Sequence, residues 1–166
     1  MAILQSGNAL SDTQGLNGLL NPRIAIVHTE WNDKIVAELI AGCKIEMEAF
    51  GGSITHSVIV PGCFELPFAC KRLWHNMEGK LNAPEAIIAF GAVIRGGTPH
   101  FEYVSKAVTE GILQLNLSLP VPVIFGVLTL DTEAQAWERL GGVHGHKGRE
   151  AGITALKMIR LCRQLI

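Results

Sequence analysis

The sequence predicts an α/β fold, because apolar, β-rich runs alternate four times with patterns typical of helices. The clearest run, residues 86–94, is apolar without alternation, as in a strand buried on both faces of a parallel sheet. The chain has 166 residues, enough for one domain with a single core. We therefore expect a three-layer α/β/α arrangement around a four-stranded parallel sheet, flavodoxin-like in architecture.

The first segment, residues 1–22, is rich in Gly, Asn, Ser and Gln and precedes the predicted domain at 23–166. We expect it to be a tail or arm, either without fixed structure or added to the sheet of a neighbouring subunit. Within the domain, Gly, Pro and polar residues set the element boundaries. The predicted strands are 23–28, 53–60, 85–91 and 121–128. The predicted helices are 33–50, 67–74, 101–117, 133–140 and 149–163, the fourth capped within 129–132.

A glycine-rich turn follows the third strand. Gly96 and Gly97 supply the turn, and a helix is expected to begin at Thr98 or Pro99. Free amides at a helix start, beside residues without Cβ, form a seat for phosphate or another oxyanion. Arg95 and His100 would add a cation and a proton carrier at the edge where open α/β sheets bind ligands. A two-glycine turn by itself is more often plain loop geometry.

Polar and aromatic residues also follow the other strands. Trp31 and Asn32 come after the first strand, Phe64 and Glu65 after the second, and Thr129 after the fourth. Trp31 could stack on a flat heterocycle, and Glu65 could accept hydrogen bonds from hydroxyl groups. The alternatives are a core aromatic residue and a carboxylate that complements a helix dipole.

Composition limits the classes of function. Fourteen Lys and Arg against fifteen Asp and Glu leave a net charge of −1, which argues against a nucleic-acid partner. Hydrophobic residues reach 48% and charged residues only 17%, so we expect other subunits to cover some apolar surface. No apolar run is long enough to cross a bilayer, and no secretory signal is present, so a soluble cytoplasmic protein is expected.

Cysteines and histidines give weaker signals. The four cysteines show no C-x-x-C pairing and are expected to be reduced thiols. His144 and His146, with His100 elsewhere, allow a metal interpretation, but no carboxylate or thiol completes a recognisable spacing. Late in the chain, Arg139 and Lys147 are most simply solvated cations unless they converge on the anion seat.

Five segments, in order, resemble one family. They are Trp31-Asn32, VPGCFELP at 60–67, GAVIRGGTPHFEY at 91–103, VIFGVLT at 123–129, and Glu138-Arg139 followed by HKGRE at 146–150. From about residue 23 to 161 the chain is similar to the 6,7-dimethyl-8-ribityllumazine synthases of riboflavin biosynthesis. The family's transferase reaction condenses 5-amino-6-(D-ribitylamino)uracil with 3,4-dihydroxy-2-butanone 4-phosphate, releasing phosphate and water, without a metal or organic cofactor.

The resemblance also implies roles for individual residues. The implied catalytic residues are His100 as proton carrier, Arg139 on the phosphate, and Lys147. The implied substrate-binding residues are Trp31, Asn32, Cys63, Phe64, Glu65, Val93, Ile94, Gly97, Thr98, Phe125 and Glu150. Phe125 would complete the pocket from a neighbouring subunit, since the family implies a homopentamer, in some members assembled into larger icosahedral shells.

Three residues depart from the family pattern. Gly97 replaces a small or acidic residue, Cys63 replaces Ser or Ala, and His146 stands where Asn is common. None removes an implied catalytic group, but His146 could change the conformation of its loop. Two other classes stay open: a non-catalytic flavin-binding or scaffold protein, and a nucleotide- or phosphate-binding module. The first could dispense with His100 and Arg139, and the second does not explain the five ordered segments.

Overall fold

The computed structural model describes residues 12–165 and contains the expected parallel sheet, in the order β2-β1-β3-β4. Its strands are β1 Arg23–Thr29, β2 Ser53–Val60, β3 Ala86–Ile94 and β4 Val123–Leu130. The helices are α1 Asp33–Ala49, α2 Leu66–Met77, α3 His100–Ser118, α4 Ala134–Trp137 and α5 Lys147–Gln164. A 3-10 turn, Cys63–Glu65, precedes α2, and a two-stranded ribbon, β5 Leu140–Gly142 and β6 Gly145–His146, precedes α5.

Two helical layers cover the sheet. Ile24 and Ile26 of β1 pack with α1 and α5, whereas the alternate residues Ala25 and Val27 pack with α2 and α3. Each face therefore has its own apolar core, as the side-chain alternation of a strand requires. The predicted α/β/α fold is confirmed, including the burial of β3 on both faces. None of the helices in residues 12–165 has the length and apolarity needed to cross a membrane.

The register of β3 leaves its carboxyl end without a paired strand on one side. Its pairing with β1 ends where His28 lies opposite Phe90, whereas its pairing with β4 continues to Ile94 opposite Leu130. The last residues of β3 therefore have a strand neighbour only on the β4 side. On the other side, the loop that follows β1 has room to approach the β3 backbone.

One predicted helix was wrong. Residues 133–140 were expected to be helical, but only Ala134–Trp137 form a short turn, and Leu140 already belongs to the ribbon. Gly141 has a φ of 111° and Gly145 a φ of 75°, values that a right-handed helix does not contain. The predicted cap also differs, because Thr129 lies within β4 and Glu133 precedes α4 without a side-chain cap.

The described part of the first segment packs on the domain. Leu16 and Leu19 are buried in the core on the α1 and α5 face. Arg160 donates to the carbonyl of Gln14 at 3.1 Å, and Arg163 donates to the carbonyl of Leu20 at 2.9 Å. The predicted addition to a neighbour's sheet, so far as it concerns residues 1–11, lies outside the described residues.

Candidate functional site

The loops after β1 and β2 are joined at the carboxyl edge of the sheet. The Glu30 amide donates to the Val60 carbonyl at 2.8 Å, and the Trp31 amide donates to the Pro61 carbonyl at 3.3 Å. These bonds place Trp31 beside the segment that carries Phe64 and Glu65. The sequence expectation that polar and aromatic residues share this edge is thus supported by direct contacts.

Trp31 is an exposed aromatic residue on a fixed backbone. Its side chain is 74% exposed, which rules out the core-aromatic interpretation. The Thr29 hydroxyl donates to the Trp31 carbonyl at 2.9 Å, so both backbone groups of Trp31 are held. A large flat ring that is exposed but positioned in this way is suited to stacking on a planar ligand.

Asn32 ties the Trp31 loop to β3. Its backbone is left-handed, with φ 60°, a conformation that Asn tolerates better than most residues. Its side-chain amide donates to the Ala92 carbonyl at 2.8 Å, on the side of β3 that β1 leaves open. The Asn32 amide thus takes the place of a missing strand neighbour. Sequence reasoning missed Ala92, since a backbone acceptor leaves no signal in residue type.

Cys63 is buried at the same edge of the sheet, against Gly91 of β3. Its Sγ lies only 2.5 Å from where a Cβ on Gly91 would be, so this glycine makes room for the thiol. Burial raises the pKa of Cys63 to about 12, with a smaller opposing effect from a hydrogen bond with the Ala92 backbone. The thiol is therefore protonated at neutral pH, which excludes a role as a thiolate nucleophile.

Phe64 and Glu65 stand at the mouth of this edge. Phe64 is 61% exposed, and Glu65 is also exposed. One carboxylate oxygen of Glu65 accepts a hydrogen bond from the Gly62 amide at 3.1 Å, as in a capping box. The capping interpretation of Glu65 therefore describes part of its environment, while the exposed carboxylate is accessible to a hydroxylated ligand.

The turn after β3 is open to solvent. Residues 95–100 are exposed, and a Cβ on Gly96 or Gly97 would meet no atom within 4 Å. Helix α3 begins at His100, with Pro99 before it, so the predicted helix start is confirmed within two residues. The amides of this turn and the His100 side chain are accessible to a small anion.

Arg95 does not supply a free cation to that turn. Its Nε donates to Asp131 Oδ1 at 2.7 Å, its Nη1 donates to Glu102 Oε1, and its guanidinium carbon lies 4.1 Å from the centre of the Phe101 ring. Hydrogen bonds to Glu102 and Asp131 raise the pKa of Arg95. Since two carboxylates compensate its charge, Arg95 joins the ends of β3 and β4 to the first turn of α3.

A second group of predicted residues lies against the edge strand β4. A cavity of about 500 Å³ is lined by Phe125, Lys147 and Glu150 together with neighbouring residues of β4 and α5. Lys147 Nζ donates to both Glu150 oxygens, at 2.9 and 2.7 Å. Arg139 joins this group through its carbonyl, which accepts from the Lys147 amide at 2.8 Å, and its guanidinium donates to the Gln135 carbonyl at 3.0 Å.

The predicted site residues therefore form two groups. The strand-end group consists of Trp31, Asn32, Cys63, Phe64, Glu65, Val93, Ile94, Gly97, Thr98 and His100. The edge-strand group consists of Phe125, Arg139, Lys147 and Glu150. Of the residues in these two groups, only Phe125, Lys147 and Glu150 line the cavity at β4, so the cavity does not join the two groups.

The histidine pair at the ribbon diverges. His144 Nε2 lies 3.9 Å from Glu138, whereas His146 Nε2 lies 3.5 Å from Glu38 of α1. Across residues 12–165, no group of three or more His, Cys, Asp or Glu side chains is arranged to hold a metal ion. The metal interpretation of these histidines has no geometric support.

Comparison with known proteins identifies the family of the chain. Residues 21–163 match the 6,7-dimethyl-8-ribityllumazine synthase family. The chain belongs to this family. The resemblance drawn from the five sequence segments is thereby confirmed, and the matched range contains every residue of the strand-end and edge-strand groups.

Relatives named 6,7-dimethyl-8-ribityllumazine synthase align over most of the chain. The protein of Parabacteroides distasonis is 43% identical over 154 residues, covering 92% of this chain and 89% of its own. That of Porphyromonas gingivalis is 48% identical over 143 residues, covering 85% and 86%. That of Protochlamydia amoebophila is 41% identical over 158 residues, covering 94% and 89%. The similarity to lumazine synthases therefore extends over nearly the full length of each protein.

Proposed function

We propose that the chain forms 6,7-dimethyl-8-ribityllumazine from 5-amino-6-(D-ribitylamino)uracil and 3,4-dihydroxy-2-butanone 4-phosphate. The observation that carries this proposal is the family match over residues 21–163, which includes both groups of site residues. The exposed Trp31 supports it, because a planar pyrimidinedione is a suitable stacking partner. The exposed Glu65 carboxylate beside it can accept hydrogen bonds from a ribityl chain.

The reaction consists of two condensations and one elimination. The amine of the uracil attacks the ketone, and loss of water gives an imine. Phosphate then leaves, and the second amine closes the ring with loss of another water. These steps need positioning and proton transfer rather than a covalent intermediate on the enzyme. The protonated thiol of Cys63 agrees with such a mechanism, since it offers no nucleophile beside the substrates.

The phosphate would bind at the open turn after β3. Gly97 and Thr98 are exposed residues there, and His100 is the first residue of α3. Helix starts favour anions through their free N–H groups and the helix dipole. Because two carboxylates already compensate Arg95, the cation that completes this seat is Arg139 in our proposal. His100 then moves protons between the reacting amines and the departing groups.

We further propose that each active site combines the strand-end group of one subunit with the edge-strand group of the next, in a homopentamer. Trp31, Phe64 and Phe125 are exposed aromatic residues on these two groups, and apolar surface of this kind is typical of subunit interfaces. In a ring of identical subunits, each interface joins two different surface patches. The strand-end group and the edge-strand group would be these two patches.

The activity is tested by mixing the purified protein with both substrates and recording lumazine absorbance together with phosphate release. His100→Ala should slow turnover by roughly 10²-fold without abolishing it, because positioning supplies much of the rate. Arg139→Ala should reduce kcat/KM more strongly and should raise the KM of the phosphorylated substrate. The proposed reaction would be rejected if lumazine absorbance did not rise with both substrates present, or if it rose without release of phosphate.

The shared site is tested by mixing two impaired variants. Trp31→Ala damages the strand-end group, and Arg139→Ala damages the edge-strand group. When equal amounts of both chains are co-expressed, about a quarter of the interfaces receive two intact groups, so about a quarter of the wild-type activity should return. A mixed oligomer no more active than the better single variant would show that each subunit holds a complete site.

A further inference from the structure

We propose that His146 is a positioning residue, whose imidazole locks the ribbon carrying Arg139 and Lys147 against helix α1. The kinetic part of this inference rests on the proposed function, which assigns Arg139 to the phosphate and includes Lys147 in the same edge-strand group. The packing part does not. The residue stands out because its side chain, only partly exposed, lies against Glu38 and Gly42 of α1.

The imidazole occupies a notch that Gly42 leaves in α1. A Cβ at position 42 would lie 2.2 Å from Cε1, 2.5 Å from Nδ1 and 2.9 Å from Nε2 of His146. These distances are well inside van der Waals contact, so even an alanine at position 42 would displace the ring. The His146 side chain is only 15% exposed. The imidazole therefore packs closely into the space that the missing side chain of Gly42 leaves.

Packing rather than hydrogen bonding holds the ring. Its Nε2 lies 3.5 Å from Glu38 Oε1, at the limit of a hydrogen bond. Its Nδ1 is buried and has no hydrogen-bond partner among residues 12–165. A side chain without the ring's volume would leave the notch empty and would release the ribbon from α1.

The ribbon transmits this anchoring to both cations. His146 pairs with Leu140 across the ribbon and directly precedes Lys147, the first residue of α5. The Lys147 amide donates to the Arg139 carbonyl at 2.8 Å, and the His144 amide donates to the Glu138 carbonyl at 2.9 Å. A shift of the His146 backbone therefore moves Arg139 and Lys147 together.

A double-mutant cycle between positions 42 and 146 tests the packing without reference to activity. Gly42→Ala alone should lower the melting temperature, because the new methyl group expels the imidazole. In the His146→Ala background the same substitution should raise it, because the notch is empty and Ala is the better helix former. If Gly42→Ala changes the melting temperature in the same direction in both backgrounds, the proposed packing of His146 against Gly42 is wrong. If His146→Ala does not fold, His146→Asn should show the same reversal.

Kinetics distinguish a positioning role from a general loss of stability. His146→Ala and Gly42→Ala should each reduce kcat/KM for the phosphorylated substrate by about 10- to 100-fold, the effect of displacing binding groups by about 1 Å. The KM of the aminouracil should change by less than about twofold, because Trp31 and Glu65 are not moved. The matched control is His144→Ala, on the same ribbon but exposed, which should behave like the wild type.

Two results would refute the positioning role. One is an equal change in the KM values of the phosphorylated substrate and the aminouracil. The other is a loss of kcat/KM in the double variant that equals the product of the losses in Gly42→Ala and His146→Ala, instead of being no larger than either. An inactive wild-type protein would reject the proposed function, while the melting-temperature cycle would still decide whether His146 fills the notch.

Discussion

Gly148→Ala is the substitution whose effect on stability follows most directly from the structure. Gly148 is the second residue of α5 and lies where this helix crosses α1. A Cβ there would be 2.1 Å from the Leu39 carbonyl oxygen and 2.8 Å from the carbonyl carbon and Cα of Leu39. All three are backbone atoms of α1, so no side-chain rotation relieves the contact. The helices would have to separate by about 1 Å to reach normal contact distances.

The expected cost is a destabilisation of about 2 kcal/mol. Overpacking of a tight contact costs about 1–3 kcal/mol, and replacing Gly by Ala in a helix returns at most about 1 kcal/mol. Separation of α1 and α5 would also loosen the core between them, which includes Leu39 and Ala151. For a chain of this length, about 2 kcal/mol lowers the melting temperature by roughly 4–8 °C.

Gly152→Ala is the matched control, one turn later in the same helix. Its Cβ would lie 3.2 Å from Glu46 Cβ and 3.3 Å from the Cys43 carbonyl oxygen, contacts that shifts of a few tenths of an ångström can relieve. Urea unfolding and thermal melts should place this variant within about 1 kcal/mol of the wild type. Equal stability of the two variants would show that the α1–α5 crossing is not the rigid contact described here.

Three further predictions concern charges and thiols. Arg149→Leu should lower the free energy of unfolding by about 1–3 kcal/mol in urea titrations, because it leaves the Glu46 carboxylate, 6% exposed, without its 2.5 Å partner; an unchanged midpoint would contradict this. Burial alone would raise the pKa of Glu85, but hydrogen bonds from Arg163 and a backbone amide lower it overall. A carboxyl group whose pKa is lower in the folded than in the unfolded protein stabilises the fold at pH values above its unfolded pKa. This stabilisation is lost as the pH falls from the unfolded pKa to the folded pKa, so the stability of the protein should decline below about pH 4.3. Arg163→Gln should weaken that decline in melts between pH 3 and 7, and identical pH profiles would refute the assignment. Because burial raises the pKa of Cys63 to about 12, iodoacetamide at pH 7.5 should modify this thiol only after unfolding, and mass spectrometry that finds rapid labelling of the folded protein would disprove it.

The sequence predicts the strands and their common edge well because each depends on local patterns. Apolar runs such as residues 86–94 become buried strands whatever their partners, and parallel pairing then brings their carboxyl ends together. Trp31, Glu65 and His100 could therefore be placed on one edge without coordinates. Their environment could not be predicted in this way, since the Asn32 amide reaches a carbonyl sixty positions later in the chain.

The stretch from 133 to 148 shows where local reasoning fails. Its residues favour a helix up to Leu140, yet the glycines beyond it permit backbone conformations that propensity does not rank. Contacts between residues further apart in the chain then decide the structure: the Glu138 carbonyl accepts from the His144 amide, and the Arg139 carbonyl accepts from the Lys147 amide. Arg95 illustrates the same limit for charges, because its partner Asp131 lies 36 positions away. A pattern that suggested a free cation at an anion seat thus belongs to a neutralised ion-pair network.

Gly42, Gly148 and Gly97 have different surroundings, so the same Gly-to-Ala substitution should have a different effect at each. At Gly42 the obstacle to a Cβ is the His146 side chain, which can be removed, so a second substitution can relieve the first. At Gly148 the obstacle is the α1 backbone, and no side-chain change relieves it. At Gly97 a Cβ would meet nothing within 4 Å, so the fold of a single subunit places no steric limit there. Any steric limit on the size of residue 97 would therefore have to come from outside the fold of the single subunit. If phosphate binds at this turn, as we propose, Gly97→Leu should raise the KM of the phosphorylated substrate while leaving the melting temperature within a few degrees of the wild type; a normal KM would count against the phosphate seat.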